Sequence, residues 1–263
     1  MKVKSVISIL ILVSCSAMAQ NEEQLFHYLK VSSANAEVRC YINGFPVYDI
    51  NSEGMISNQT PVNLALVGEN NVLKIVAKPL GDNAFVSGGI STYGGGEMVS
   101  TDDNREGQLQ FEFKMEEPTI KTYEFDNERF DYSASIQSVP VLNDEEGLKD
   151  YALKIHSLIK LKKSKKLIEE MTPKIEDTAK AFSVDANIMY ENMKQVLQSN
   201  IFATPWQGVS REEIVPVSYC DGKVWELTQK DGKPLIYYQE SEDSYSSMKI
   251  FVAKVDGKLR VVR

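Results

Sequence analysis

Ser138-Val139-Pro140-Val141-Leu142-Asn143-Asp144-Glu145-Glu146-Gly147-Leu148-Lys149-Asp150-Tyr151-Ala152-Leu153-Lys154-Ile155 is where the apolar period of this chain changes from two residues to about 3.6. Before it, apolar residues alternate as in a strand, ending with Ile120, Tyr123 and Phe125. After it, Leu148, Tyr151, Ala152, Ile155, Leu158 and Ile159 form one stripe of a helix that Asp144 can cap. One helix face and a series of pleated strands bury themselves in different ways, so the change predicts two domains meeting near Val139. The expected divisions are 1–19, 20–139 and 140–263.

Upstream, from Glu37 to about Phe125, the pattern is all β. Val38, Cys40 and Ile42 point one way and Arg39 and Tyr41 the other; Asn43-Gly44 then makes a hairpin turn into Phe45 to Tyr48. Val62, Leu64 and Leu66 alternate next, followed by Leu73, Ile75 and Ala77 with Lys74 and Lys78 on the wet face, and by Leu109, Phe111 and Phe113. Short strands at this spacing predict a β-sandwich, jelly-roll-like. Phe85 to Glu106, with Gly88-Gly89, Gly94-Gly95-Gly96, Asp102 and Asp103, reads as a long mobile segment, expected to be a flexible β-hairpin or a long crossover. Glu97-Met98 follows the glycines where a phosphate-binding loop would need a helix start or a Lys-Ser/Thr pair.

Downstream, a second helix through Leu167, Ile168 and Met171 meets Thr172-Pro173, where proline can start a fresh turn. Ser183 is expected to cap a third helix with the stripe Ile188, Met189, Asn192, Met193, Val196 and Leu197, in which Asn192 needs a partner if buried. Asp221-Gly222-Lys223, Asp231-Gly232-Lys233 and Asp256-Gly257-Lys258 then punctuate up to five antiparallel strands. Helices followed by such strands predict an α+β domain, three helices packed on a curved antiparallel sheet.

This order of elements, closing on Phe251-Val252-Ala253-Lys254-Val255-Asp256-Gly257-Lys258-Leu259-Arg260-Val261-Val262, resembles the nuclear-transport-factor-2-like cone fold over about 144–263. The resemblance implies a pocket inside the cone without implying its ligand. Tyr41-Ile42-Asn43-Gly44 and the later Leu66-Val67-Gly68-Glu69-Asn70-Asn71-Val72-Leu73-Lys74-Ile75 resemble galactose-binding-like sandwiches. Those motifs are residues that tight β connections need, so the likeness supports a sandwich more than it supports sugar binding.

Met1-Lys2-Val3-Lys4, the apolar run Val6 to Val13 and Ala17-Met18-Ala19 match an export signal cleaved before Gln20, too short to span a bilayer. Leu12-Val13-Ser14-Cys15 also matches a lipobox, and lipidation of Cys15 would tether the chain to a membrane. Cleavage would export a soluble chain to the periplasm or outside the cell, and lipidation would anchor it to a membrane of the bacterial envelope. A net charge of −8, with no basic cluster interleaved with aromatics, excludes nucleic acid as a partner. Cys40 and Cys220 are expected to be separate small core residues rather than a disulfide.

Catalytic signatures are sparse. His27 and His156 sit in no metal or triad spacing, and Gly-x-Ser-x-Gly, a Walker loop and a dinucleotide fingerprint are missing from the sequence. Glu145-Glu146, Glu169-Glu170, Glu212-Glu213 and Glu240 with Glu242 and Asp243 supply carboxylates whose spacing alone cannot place two across a cleft. Lys160, Lys162, Lys163, Lys165 and Lys166 form a basic run best explained as a solvated helix junction. The residues with binding chemistry are Trp206, Tyr219, Trp225, Tyr237 and Tyr238, in or just before the last sheet, where aromatic faces can stack on a small molecule or glycan. The expectation is a binding or interaction module of the envelope without metal or cofactor, whose partner is a small molecule, a glycan or another envelope protein. A hydrolase using His156 as base and a structural envelope component are the alternatives.

Overall fold

Asn43 and Gly44 both adopt positive φ, 53° and 81°, and Ile42 pairs directly with Phe45 across them. Asp256 and Gly257 repeat this geometry at 49° and 75° between the paired Val255 and Lys258. Positive φ at both central residues is what a two-residue hairpin turn requires, and Asn-Gly and Asp-Gly tolerate it best. The computed structural model describes residues 5–8, 25–99, 107–127, 134–242 and 244–263. It divides into an amino-terminal unit, Ala17–Gln137 with Ala181–Ser183, and a carboxy-terminal unit of Met1–Ser16, Ser138–Lys180 and Val184–Arg263.

The first strand, β1 (Ser5–Ser8), belongs to the carboxy-terminal unit. Among the described residues, eight strands build the amino-terminal unit: β2 (Leu25–Ala34), β3 (Ala36–Ile42), β4 (Phe45–Ser52), β5 (Ile56–Pro61), β6 (Asn71–Pro79), β7 (Phe85–Gly94), β8 (Leu109–Lys114) and β9 (Thr119–Phe125). They form two antiparallel sheets, ordered β5-β2-β7-β8 and β4-β3-β6-β9. Leu29, Val31, Val86 and Ile90 of one sheet share a buried core with Val38, Cys40, Leu73 and Ile75 of the other.

Three expectations need correction here. Phe85 to Gly94 is neither a mobile loop nor a crossover but the central strand β7, antiparallel to β2 and to the next strand β8, so of the expected alternatives the hairpin is the nearer. A Cβ on Gly88 would stand 2.0 Å from the Lys30 carbonyl oxygen and 2.9 Å from the Phe111 ring, and one on Gly89 2.4 Å from the Leu109 carbonyl oxygen. The glycines therefore serve close approach within the sheet rather than flexibility. Asp102, Asp103 and Glu106 lie outside the described residues. Val62, Leu64 and Leu66 do not alternate in a strand: 63–65 is a 3-10 turn that buries Asn63 and Ala65. The sandwich also begins earlier than Glu37, at β2, whose buried His27, Leu29, Val31 and Ser33 alternate with less buried neighbours.

After the short α1 (Ala134–Gln137), the carboxy-terminal unit has, among the described residues, four α-helices rather than three: α2 (Glu145–Lys160), α3 (Ser164–Glu170), α4 (Thr172–Ala181) and α5 (Ala186–Val196). Asp144 caps α2 as expected, accepting from the Gly147 N–H at 2.9 Å. α3 and α4 are separate because Pro173, lacking an N–H, opens a new helix. Asp185, not Ser183, caps α5, accepting from the Asn187 N–H at 2.7 Å. Ile188 faces solvent and Asn192 is half-buried; the buried row is Met189, Met193, Leu197 and Ile201, continued by a π-helical turn over Leu197–Ile201.

β10 (Ile214–Tyr219), β11 (Val224–Gln229), β14 (Phe251–Val255) and β15 (Lys258–Val261) form an antiparallel sheet in the order β10-β11-β14-β15. Leu227, Val252 and Val261 pack with Leu148, Ile155 and Met193 of the helices. β12 (Ile236–Gln239) and β13 (Ser244–Met248) form a separate hairpin, and β1 lies parallel to β13, Ser5 opposite Ser244 through Ser8 opposite Ser247. β13 is a strand beyond the five expected. Among the described residues no helix is long and apolar enough to cross a membrane.

Candidate binding groove

Tyr238 and Ser246 are direct cross-strand partners in the β12–β13 hairpin. Beside them, Glu240 accepts from the Ser246 hydroxyl at 2.5 Å and from the Ser244 hydroxyl at 3.0 Å. These two bonds, that from Ser246 first, hold the exposed Glu240 carboxyl below its ordinary range, so it stays ionised. Opposite lies the segment leaving the π-helical turn, where Thr204 bonds the Asn200 carbonyl through both its N–H (3.1 Å) and its hydroxyl (2.9 Å). Ser199, Asn200, Ala203, Thr204, Pro205, Tyr238, Glu240 and Ser246 line an open groove of about 450 Å³.

The sequence-predicted residues divide between lining this groove and holding its walls. Tyr238 lines it. Trp206 is half-buried against the helical core, donating from Nε1 to the Ile201 carbonyl at 2.5 Å, which pins the wall segment. Tyr237, on the other face of β12, is buried against Tyr245 (5.4 Å between ring centres), lies under Lys233 and bonds Gln239. The Tyr237 carbonyl accepts from the Gln207 N–H at 3.0 Å, and the Gln207 carbonyl lies 2.8 Å from His156 Nε2. His156 is thus a buried fastener between α2 and the wall.

Tyr219 and Trp225 are not brought to the groove. Tyr219 bonds Glu226 at 3.2 Å and packs edge-on against Phe251 (6.0 Å), while Trp225 donates to the Gly222 carbonyl at 3.0 Å and packs on the helical core. Sequence reasoning missed Ser199, Asn200, Thr204 and Ser246, whose small polar side chains carry no period. Glu240 stood out only as one acid among several.

The other chemically suggestive residues are used structurally. Glu170, buried at the end of α3, accepts from Tyr151 (2.9 Å) and Lys154 (2.7 Å) and lies 3.0 Å from Arg260. Burial alone would push its carboxyl up, but the bonds from Lys154 and Tyr151 outweigh it, and the carboxyl falls below its ordinary range. Glu146 binds Lys149 and Arg211, and Glu213 closes a capping box with Ser210. Lys160, Lys162, Lys163, Lys165 and Lys166 all face solvent.

In the amino-terminal unit, Asn43 donates to Asn71 at 3.0 Å, while Asn71 accepts from the Val67 N–H at 2.7 Å and donates to the Val67 carbonyl at 2.8 Å. The two motifs behind the sugar-binding resemblance therefore meet as a structural knot. Cys40 is buried and Cys220 half-buried, and both thiols are free. Among the described residues no group of three His, Cys, Asp or Glu is placed to hold a metal ion. No protein-family model matches this chain, and no curated protein or solved structure compared with it does so either.

Proposed function

We propose that this chain is a non-catalytic binding module of the bacterial cell envelope, and that the groove under Tyr238 takes a neutral, hydroxyl-rich ligand of the glycan class. The observation that carries the reading is the presence of one aromatic side chain, Tyr238, among hydroxyl, amide and carboxylate side chains lining an open groove. An aromatic ring stacks on the apolar face of a sugar, while Ser199, Asn200, Thr204 and the ionised Glu240 can exchange hydrogen bonds with its hydroxyls. Envelope location rests on the leader-like first nineteen residues, and the intact mass of the mature chain separates cleavage after Ala19 from lipidation at Cys15. Four helices preceding antiparallel strands support the cone-fold reading, while the separate β12–β13 hairpin departs from a single curved sheet. The two sheets around one core support the sandwich reading, and the jelly-roll assignment stays with it as part of this proposal.

The test is an NMR titration with chitotetraose, cellotetraose and maltotetraose. One of them should shift resonances of Tyr238, Ser199 and Ser246, and Tyr238→Ala should weaken its binding about tenfold, on the order of 1.4 kcal/mol. No shift at Tyr238 with any of the three would sink the glycan assignment. Cleavage of an oligosaccharide would move the reading to the hydrolase alternative.

A further inference from the structure

The outer edge of β13 differs from the outer strands of the three four-stranded sheets. Each outer strand of the three four-stranded sheets contains a proline or a charge, for example Pro61 in β5, Lys114 in β8, Pro46 in β4, Lys121 in β9, Pro216 in β10 and Lys258 in β15. Such residues blunt an edge against further pairing. β13, Ser244-Tyr245-Ser246-Ser247-Met248, has neither, and it is the strand on which another part of the chain, Ser5-Val6-Ile7-Ser8, lies in parallel register.

The hydrogen-bond phase of the hairpin identifies the groups on that edge. The Glu240 N–H donates to the Ser244 carbonyl at 2.9 Å, which makes this a bonded rung. Bonded rungs recur every second pair in an antiparallel ladder, so Tyr238–Ser246 and Ile236–Met248 are also bonded. Gln239–Tyr245 and Tyr237–Ser247 are the open rungs, and their backbone groups point away from the hairpin. On the β12 side the outward Tyr237 carbonyl is taken by the Gln207 N–H, as this phase requires. On the β13 side the outward groups are those of Tyr245 and Ser247.

We propose that the outer edge of β13 is a strand-acceptor site for an extended, uncharged segment of a partner protein in parallel register, with Ser5–Ser8 occupying it in cis in the unprocessed chain. Only the vacating of the edge rests on the export reading; the acceptor chemistry does not. Backbone bonds from Tyr245 and Ser247 supply affinity, as in other cases of strand addition.

Hydrogen exchange of the full chain tests this. Val6→Pro with Ile7→Pro should unseat β1 and raise the exchange rates of the Tyr245 and Ser247 amides at least tenfold, leaving the inward Ser246 amide slow. Adding a synthetic peptide of the sequence Ser5–Leu10, blocked at both ends, should slow the Tyr245 and Ser247 amides again. Ser247→Pro, which removes an outward donor and no inward one, should abolish that rescue while Ser246 stays protected. Equal exchange at Tyr245 and Ser247 with and without the prolines would overturn the proposal, as would failure of the peptide to restore protection. Protection that instead rises with protein concentration in the absence of peptide would overturn the assignment to a partner in favour of a second copy of this chain. The readout is confined to edge amides, so it fails independently of the glycan titration at Tyr238.

Discussion

His27 sits fully buried on β2, its backbone N–H bonded to the Asn63 side chain at 2.7 Å and its Nδ1 3.1 Å from the Thr92 hydroxyl. Burial lowers its pKa from 6.5 to about 4, so the folded chain keeps it neutral where the unfolded chain would take a proton. Stability from this residue is therefore complete above 6.5 and is lost as pH falls from 6.5 towards 4, a loss on the order of 3 kcal/mol. Urea unfolding across that range should show the decline, and His27→Gln should flatten it; equal slopes in the two proteins would refute the account. Trp225 makes the opposite case, a residue chosen from sequence for stacking chemistry that the fold uses for packing. Trp225→Ala should lower stability by about 3 kcal/mol in a denaturant titration while leaving ligand shifts at Tyr238 intact.

At the scale of elements, legibility followed side-chain period. α2, β3 and β6 were readable because each presents one apolar face and one wet face; β9 departs from that pattern, since Ile120 is exposed on the face opposite Tyr123 and Phe125. β2 carries an equally clear alternation, legible though unread. β5, an edge strand, and β13, which lies between β12 and β1, are polar strands with no buried row to betray them, and their pairing comes from the backbone of their neighbours. β7 misleads because glycine usually marks loops, whereas here the missing Cβ of Gly88 makes room for the Lys30 backbone and the Phe111 ring. Gly88→Ala should destabilise the chain by about 3 kcal/mol through overpacking, read as a lowered melting temperature. Wild-type stability in that variant would return the segment to the status of a tolerant loop.

At the scale of the whole molecule, the two units carry separate cores, and among the described residues each holds one free thiol, Cys40 or Cys220. Burial pushes Cys40 up to about 12 and Cys220 up to about 11, so both remain thiols at neutral pH. An Ellman titration of the mature soluble chain should find both nearly inert when native and both reactive in denaturant. Melting should not change with reductant; a lowered midpoint under reduction would reveal a disulfide. The sequence alone determined the two-part architecture, the turn positions and the main core rows, because these depend on local period and on the φ that Asn, Asp and Gly tolerate. Only the tertiary structure decided which aromatic residue lines a groove, which carboxylates are spoken for by buried partners, and which strand β1 pairs with. Those outcomes depend on residues distant in sequence meeting in space, and small polar side chains such as Ser199, Thr204 and Ser246 leave no periodic trace of where they will meet.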